Sequence, residues 1–341
     1  IGIVFELIGE NNKAIEAYKQ AVRINPNHAK SINNIGVVLY KQKKYKESAQ
    51  IFEIALQVDE NYFEVYSNKG AAYNKAKEYD KAIESLEMAI LKMPNHGGAY
   101  TNLGNVYNKL HDYEKASKLH EKSIELEPNG SNAYSNLGTS YKYLGLSNKA
   151  ISSYKKAIEL DPNFVNAHFD LATMYLAMED FENGWKEYEW RFKKEEMIPH
   201  IIRHKDIFSK PLFTGAEDIK GKILLLHSEQ GYGDSIQFIR FLPQIKEKFG
   251  CKIAVKCREG LKELFQTMSE IDVIADRNEA TPQFDYQLSI MSMPFVLGMK
   301  SINDLPKRIP YLKSTPYKEL KIKKEKEKIN IGICWSASLT G

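Results

Sequence analysis

The sequence predicts two architectures in one chain, an α-solenoid of repeated helix pairs followed by an α/β domain. The first observation is a repeat of 34 residues, whose proline, once replaced by glutamate, stands at Pro26, Glu60, Pro94, Pro128 and Pro162. The second is a change near Lys222 from helical spacing to short apolar runs that alternate with amphipathic segments. The 341 residues suffice for two or three domains, and the hydrophobic fraction of 43% is enough to build their cores.

Small residues follow the same period as the prolines, at Gly36, Gly70, Gly104, Gly138 and then Ala172. A period of this length with this order of small, aromatic and proline residues is the signature of the tetratricopeptide repeat, or TPR. The small residues allow two helices to approach closely, and the proline ends the second helix. Because one helix pair cannot bury its apolar face alone, the pairs stack into a solenoid with a concave groove.

The period also sets the boundaries of the solenoid, which we predict over residues 1–195. A partial repeat at 1–28 is followed by full repeats at 29–62, 63–96, 97–130 and 131–164, and by a degenerate capping repeat at 165–195. The pattern opens part-way through a first helix. We therefore expect the chain to be a fragment of a longer protein.

One register of the repeat has no packing explanation. Asparagine recurs two residues before each glycine, at Asn34, Asn68, Asn102 and Asn136, and Asp170 takes that place in the degenerate repeat. These side chains could bond the backbone of an extended polypeptide in the groove or could bond neighbouring helices, since both arrangements satisfy amide groups. The Asn-Leu-Gly pattern resembles the TPR arm of O-GlcNAc transferase, whose asparagine ladder holds the acceptor polypeptide. That resemblance favours binding at these four positions.

The segment that joins the two regions is rich in aromatic residues, with Trp185, Tyr188, Trp190 and Phe192 close together. We interpret them as a cap of the solenoid or a docking surface for the next domain, with a sugar-stacking platform as the alternative. Residues 196–220 read as a linker. His200 and His204 lie four residues apart, but no third ligand is near, so we expect no metal site.

The second region alternates strands and helices. We predict strands at 222–227, 252–257, 271–275 and 284–288, and helices at about 234–249, 259–268 and 291–298. Such alternation is typical of a parallel sheet, so we predict an α/β domain over 221–317. A charged linker at 318–328 then leads to a strand within 329–341, which we interpret as the start of a second, truncated α/β domain.

The stretch 227–241 carries the candidate chemistry, because a strand, a glycine turn and a helix start follow one another there. Gly231 and Gly233 would let a substrate approach the backbone, and we expect a positive φ at Gly233. The candidates for polar contacts are Glu229, Gln230, Gln237 and Arg240. Asp234 is either a functional carboxylate or, with Gln237, half of a helix capping box.

Several segments resemble bacterial TPR proteins that carry a heptosyltransferase-like, GT-B type glycosyltransferase module. They are EQGYGDSIQFIRF at 229–241, FDY at 284–286, MSMP at 291–294, PYL at 310–312, GWKEYEWRF at 184–192 and GICWS at 332–336. The resemblance implies that 221–317 is the first Rossmann-like domain of a GT-B fold. It also implies an acceptor bound mainly there, a nucleotide-sugar donor bound mainly on the second domain, and Asp234 as the base that deprotonates the acceptor.

The expected function is therefore that of a TPR-containing glycosyltransferase fragment, inactive alone, whose groove binds a polypeptide or another acceptor. The alternative is a non-catalytic TPR scaffold for protein–protein interaction. A net charge of +4 does not indicate nucleic-acid binding, and no apolar run is long enough to span a membrane. Three cysteines without a CxxC motif favour free thiols in the cytoplasm. No cofactor is expected beyond the nucleotide sugar as substrate.

Overall fold

The structure is a computed structural model that describes residues 1–229, 231–307 and 310–313, apart from the side chain of Ile202. The predicted linker at 318–328, the predicted strand within 329–341, Gln230 and Cys334 lie outside the described residues. The chain forms two compact units. The solenoid unit comprises Ile1–Ser209 and Ser292–Leu305, and the sheet unit comprises Lys210–Met291 and the described residues from Pro306 onward.

The solenoid unit is built from helix pairs at the predicted period. Its first twelve helices are α1 (Gly2–Leu7), α2 (Asn11–Ile24), α3 (Ala29–Lys41), α4 (Tyr45–Val58), α5 (Glu64–Lys75), α6 (Tyr79–Lys92), α7 (Gly97–Lys109), α8 (Tyr113–Leu126), α9 (Ser131–Tyr143), α10 (Ser147–Leu160), α11 (Val165–Ala177) and α12 (Phe181–Tyr188). Helices α3 to α10 fill the four full repeats. The predicted TPR solenoid is confirmed.

The glycine register is explained by close packing inside each repeat. The glycine of the first helix faces one large side chain of the second, in the pairs Gly36–Phe52, Gly70–Leu86, Gly104–His120 and Gly138–Tyr154. A Cβ atom on these glycines would lie 2.6, 2.4, 2.6 and 2.7 Å from the facing side chain, respectively. Since no real Cβ approaches so closely in a packed interior, only glycine fits.

The turn between the two helices of each repeat places one residue in the left-handed region. These residues are Gly9, Lys43, Lys77, His111, Gly145 and Glu179, with φ of 77°, 63°, 64°, 63°, 73° and 61°. Glycine adopts this conformation without strain, whereas a residue with a Cβ is destabilised in it. Four of the six turns therefore carry local backbone strain.

The solenoid unit ends in a compact helical segment. After α12, two 3₁₀ turns (Glu189–Lys193 and Glu195–Met197) lead into α13 (Ile198–Arg203) and α14 (Lys205–Phe208). The region predicted as a linker at 196–220 thus contains two short helices. Helix α18 (Met293–Leu297) packs against α12. The segment predicted as the last helix of the α/β domain, at 291–298, is accordingly mostly part of the solenoid unit.

Arg191 fixes this end of the solenoid unit. Its side chain is 1% exposed and donates hydrogen bonds to Ser292 Oγ and Glu189 Oε1, each over 2.7 Å. The guanidinium carbon lies 4.1 Å from the centre of the Phe192 ring. A buried guanidinium needs this combination of an opposite charge and hydrogen-bond acceptors. Residues 189–192 are therefore an internal packing cluster that anchors the segment beginning at Ser292.

The sheet unit contains a parallel four-stranded sheet. Its elements are β1 (Ile223–His227), α15 (Tyr232–Phe238), α16 (Leu242–Phe249), β2 (Lys252–Cys257), α17 (Lys262–Phe265), β3 (Val273–Asp276) and β4 (Tyr286–Ser289), in the strand order β3-β2-β1-β4. Leu224, Leu225 and Leu226 of the central strand β1 are fully buried, as expected for a strand covered on both faces.

The predicted strands agree with the sheet within a few residues, but the helices are shorter than predicted. The segment predicted as one helix at 234–249 is divided between α15, a 3₁₀ turn (Ile239–Phe241) and α16. Pro243 lies in the first turn of α16, where its missing N–H is not needed. The helix predicted at 259–268 is confined to α17.

Candidate functional site

The four ladder asparagines lie at equivalent positions on the first helices of their repeats, α3, α5, α7 and α9, and all are half-buried. We call the surface that carries them the ladder face. Two of them contact the preceding repeat. Asn68 Nδ2 donates to Asn33 Oδ1 and Asn102 Nδ2 donates to Ser67 Oγ, each over 3.2 Å.

These contacts engage the amide nitrogen of each of the two side chains. The nitrogens of Asn68 and Asn102 bond a neighbouring helix, which is the arrangement that the sequence left open as an alternative. The bond also orients the amide plane and leaves the carboxamide oxygen as the atom that can accept an N–H from a bound chain. The two roles are thus compatible on one side chain.

The ladder ends in an ionisable residue. Asp170 is half-buried on α11, and burial raises the pKa of its carboxyl group, an effect opposed by Lys142 and Lys194. Lys142 Nζ lies 4.0 Å from Asp170 Oδ1 and donates to Thr173 Oγ1 over 3.0 Å. The last position of the register is therefore an ionisable carboxyl group, whereas the four positions before it are neutral amides.

A cavity opens on the ladder face between the first two full repeats. Its volume is about 170 Å³, and it is lined by Val37, Tyr40, Phe52, Asn68 and Ala71. Phe52 is 1% exposed, whereas the other four residues are half-buried. The cavity is therefore a largely apolar depression with one ladder asparagine in its wall.

The second candidate site lies in the sheet unit, at the carboxyl ends of β1 and β4. Strand β1 pairs with β2 on one side and with β4 on the other, so the strand order reverses between β1 and β4. Open parallel sheets bind ligands at such a point, outside the carboxyl ends of the strands. The sequence stretch 227–241 begins there.

Hydrogen bonds hold the loop after β1. Ser289, at the end of β4, is fully buried and its hydroxyl donates to Glu229 Oε1. Ser235 Oγ donates to Ser228 Oγ over 3.0 Å and to Gly231 O over 3.1 Å. The predicted residue Glu229 therefore lies at the boundary of the two strands, oriented by a neighbour that sequence reasoning missed.

His227 and Gln287 were also missed. His227 Nε2 lies 2.9 Å from Gln287 Oε1, and both side chains are buried in adjacent strands. The sequence signal was available, because each is a polar residue within or directly after an apolar strand, and such residues need partners. Together with Ser289 they form a polar layer beneath the end of the sheet.

Asp234 is the third residue of α15, and the residue before the helix is Gly231. Asp234 is therefore not the N-cap, and the capping box with Gln237 does not form. The side chain of Asp234 is half-buried, and that of Gln237 is exposed.

The two glycines of the motif are not required by the fold. Gly233 is helical and does not have the positive φ that we expected, so that expectation is wrong; Gly231 has a φ of −64°. A Cβ on Gly233 would meet nothing within 4 Å, and one on Gly231 would meet only Asp234 Oδ2, at 3.7 Å. Neither packing nor backbone conformation therefore demands glycine at these two positions.

Arg240 is engaged elsewhere in the sheet unit. Its Nη2 donates to the carbonyl oxygen of Pro306 over 3.1 Å, and its guanidinium carbon lies 5.3 Å from the centre of the Tyr311 ring. These contacts give Arg240 a structural role, in holding the segment around residue 306. Gln230 lies outside the described residues.

The aromatic residues of the join pack among themselves. Trp190 stacks on His168 at a centroid distance of 3.7 Å, and Lys193 Nζ lies 3.6 Å from the centre of the Trp190 ring. Trp185 meets Tyr188 edge-on at 5.8 Å. Because these rings contact one another and the last repeat, the geometry favours a cap over a sugar-stacking platform.

No metal centre is found within the described ranges. The rings of His200 and His204 lie 4.7 Å apart, but no group of three or more His, Cys, Asp or Glu side chains in that part of the chain could hold an ion. Cys251 and Cys257 are free and buried, and burial raises the pKa of the Cys257 thiol to about 11. The described helices include none that is long and apolar enough to cross a membrane.

Comparison with known proteins identifies the class of the solenoid unit. Family models of the tetratricopeptide repeat match residues 61–126, 95–163 and 153–187, and a TPR repeat model matches 7–43. Residues 7–43 and 61–187 therefore carry tetratricopeptide repeats, in agreement with the helix pairs of the solenoid unit.

Protein FlbA of Caulobacter vibrioides (strain ATCC 19089 / CIP 103742 / CB 15) is 28% identical over 187 residues, covering 48% of this chain and 30% of FlbA. The chain thus spans less than a third of that curated relative. The crystal structure of the APC/C hetero-tetramer Cut9-Hcn1 aligns with a TM-score of 0.54 at 16% identity, over 60% of this chain and 40% of that one. The crystal structure of MamA aligns with a TM-score of 0.42 at 28% identity, over 48% and 95%.

Proposed function

We propose that the ladder face binds an extended polypeptide segment through its asparagines. The observation that carries the proposal is the recurrence of half-buried Asn34, Asn68, Asn102 and Asn136 in one register, with the amides of Asn68 and Asn102 oriented by the preceding repeat. An extended chain offers one N–H and one C=O per residue. A row of carboxamides, two of them held by the preceding repeat, can bond that backbone whatever its side chains are.

The test replaces the four ladder asparagines by alanine in the intact chain and measures binding of a displayed library of linear peptides. We expect affinity to fall by about tenfold or more, since each lost hydrogen bond contributes roughly 0.5–1.5 kcal/mol.

The chain offers a matched control, because a second asparagine register recurs in the exposed turns between repeats, at Asn61, Asn95, Asn129 and Asn163. Alanine at these four positions removes the same number of amides and should leave peptide binding unchanged. Equal affinity of the ladder variant and the wild type would show that the ladder only packs the helices.

A second function is favoured by the geometry of the sheet unit. We infer that this unit is the acceptor-side half of a glycosyltransferase that uses a nucleotide-sugar donor. The supports are the loop of Glu229 at the reversal of strand order, the two glycines that the fold does not need, and the sequence resemblance to GT-B proteins. Asp234 would take the proton from the acceptor hydroxyl.

The experiment uses the native gene product that contains this chain, assayed with a panel of nucleotide sugars. Asp234→Asn should lower turnover by about 10² or more, the usual effect of losing a general base. Asp218→Asn is the control, because Asp218 is an exposed aspartate of the same unit. Normal turnover of the Asp234 variant would remove it from the mechanism, and the absence of sugar transfer by the wild type would leave the scaffold function alone.

The cytoplasm is the compartment that we propose for the protein. The support is the pair of free, buried thiols at Cys251 and Cys257.

A further inference from the structure

The ladder face changes in chemical character from one junction between repeats to the next. Five positions that recur every 34 residues can be compared at each junction: two from the first helix of the earlier repeat, one from its second helix, and two from the first helix of the following repeat. At the first junction between full repeats these residues are Val37, Tyr40, Phe52, Asn68 and Ala71, which line the cavity of about 170 Å³. At the third junction they are Asn105, Asn108, His120, Asn136 and Thr139. At the fourth they are Thr139, Lys142, Tyr154, Asp170 and Thr173.

At the later junctions the polar groups contact one another. Asn108 Nδ2 lies 3.4 Å from His120 Nε2, and Ser140 Oγ donates to Asn108 Oδ1 over 2.9 Å. At the fourth junction Lys142 lies beside Asp170 and Thr173. An aliphatic side chain placed at either junction would remove water from amide, imidazole or charged groups without replacing their hydrogen bonds, which is unfavourable.

The first junction is different because four of its five lining residues are aliphatic or aromatic. Val37 and Ala71 are aliphatic, Phe52 forms a buried floor, and the Tyr40 ring meets Tyr45 edge-on at a centroid distance of 5.3 Å. The polar member of the set is Asn68, whose amide nitrogen bonds Asn33. One ladder asparagine therefore lies in the wall of an apolar depression.

We propose that this depression is an anchor pocket that takes one branched aliphatic side chain of the bound polypeptide, while the junctions beyond it accept polar residues. The inference rests on the proposed peptide binding and adds its specificity. Asn68 holds the backbone of the anchor residue, and the pocket holds its side chain. At the second junction Asn74 and Asn105 stand in place of Tyr40 and Ala71, and the third and fourth junctions are polar. The anchor therefore fixes the register in which the partner lies along the ladder.

The probes are fluorescein-labelled linear peptides of Ser, Thr, Asn and Gly that carry a single Leu, with a matched set in which Ala replaces that Leu. Anisotropy with the intact chain should show the Leu peptides binding about tenfold more tightly or better, from burial of one aliphatic side chain. The double variant Val37→Asn, Tyr40→Asn copies the third junction. It should abolish the preference for Leu and leave the affinity for the Ala peptides unchanged.

Two further variants distinguish loss of the pocket from a general defect in folding. Ala71→Leu fills the pocket from its opposite wall and should abolish the same preference. Thr139→Val changes a later junction and should leave the preference intact. Circular dichroism confirms that each variant is folded.

The outcomes separate the two proposals. Equal affinity for Leu and Ala peptides, with both weakened by the ladder variant, overturns the anchor pocket while peptide binding stands. A preference for Leu that survives Ala71→Leu also overturns it. If the wild-type chain binds none of the peptides, the proposed ladder function fails, and the anchor pocket fails with it.

Discussion

His120 is a histidine in the core of a repeat, at a position where the other repeats carry Tyr18, Phe52, Leu86 and Tyr154. It is fully buried against Gly104, and burial lowers its pKa from 6.5 to about 4. Below about pH 6.5 the unfolded chain therefore takes up a proton that the folded repeat excludes until the pH approaches 4. The contribution to stability is complete above that window and is lost as the pH falls through it.

The magnitude follows from the two pKa values. Between about pH 7 and about pH 5 the linkage relation gives a loss of about 2 kcal/mol in the free energy of unfolding, and about 3 kcal/mol once the pH is below both values. Replacing His120 by phenylalanine, the residue that Phe52 supplies in an earlier repeat, removes the titrating group and keeps a ring against Gly104. His120→Phe should therefore resist acid better than the wild type by these amounts.

Urea denaturation followed by circular dichroism across this pH range gives the comparison, and hydrogen exchange of residues 97–126 localises it. Carboxylates are the same in both proteins, so their titration cancels in the difference. His111→Asn is the control, since His111 is exposed and asparagine tolerates its left-handed turn. Parallel loss of stability in the wild type and His120→Phe would refute the assignment of the pH dependence to this imidazole.

Two other predictions concern the backbone. Gly138→Ala should destabilise the solenoid by about 1–3 kcal/mol, because the new Cβ would meet the buried Tyr154 ring. Gly233→Ala has open space around the new Cβ and should be neutral or stabilising. Thermal melts measure both effects. Equal effects of the two substitutions would contradict the packing argument. Lys77→Gly should raise the free energy of unfolding by about 0.5–1 kcal/mol, and with it the urea midpoint, because it relieves a left-handed lysine. An unchanged or lower midpoint would show that the turn is not strained.

The sequence was most informative wherever a feature repeated. The 34-residue period predicted the helix pairs because each repeat solves the same packing problem, and the same period would have located the left-handed turns from Gly9 and Gly145. His120 escaped notice because one polar residue interrupts an otherwise apolar register. In the sheet unit, the strands followed from their apolar runs, but Pro243 divided a helix whose spacing looked continuous.

Contacts between distant parts of the sequence could not be predicted from the period or from apolar runs. Nothing around Ser292 indicates that its partner is Arg191, a hundred positions earlier, so the segment Ser292–Leu305 was placed with the strands that precede it. Ser289 is a similar case, because its importance depends on which strand lies beside β1. Periodicity predicts elements, whereas such pairings depend on how the elements assemble.

Two kinds of contact described above for the solenoid do not overlap. Each glycine meets its large side chain within a single repeat, whereas the amides of Asn68 and Asn102 reach back to the repeat before. A duplication or in-frame loss of one 34-residue unit would preserve the glycine contacts within the remaining repeats. It would add or remove one ladder asparagine. Evolution could thus lengthen or shorten the ladder face while keeping the glycine packing within each repeat, and a protein engineer could do the same by excising a unit at its exposed turns.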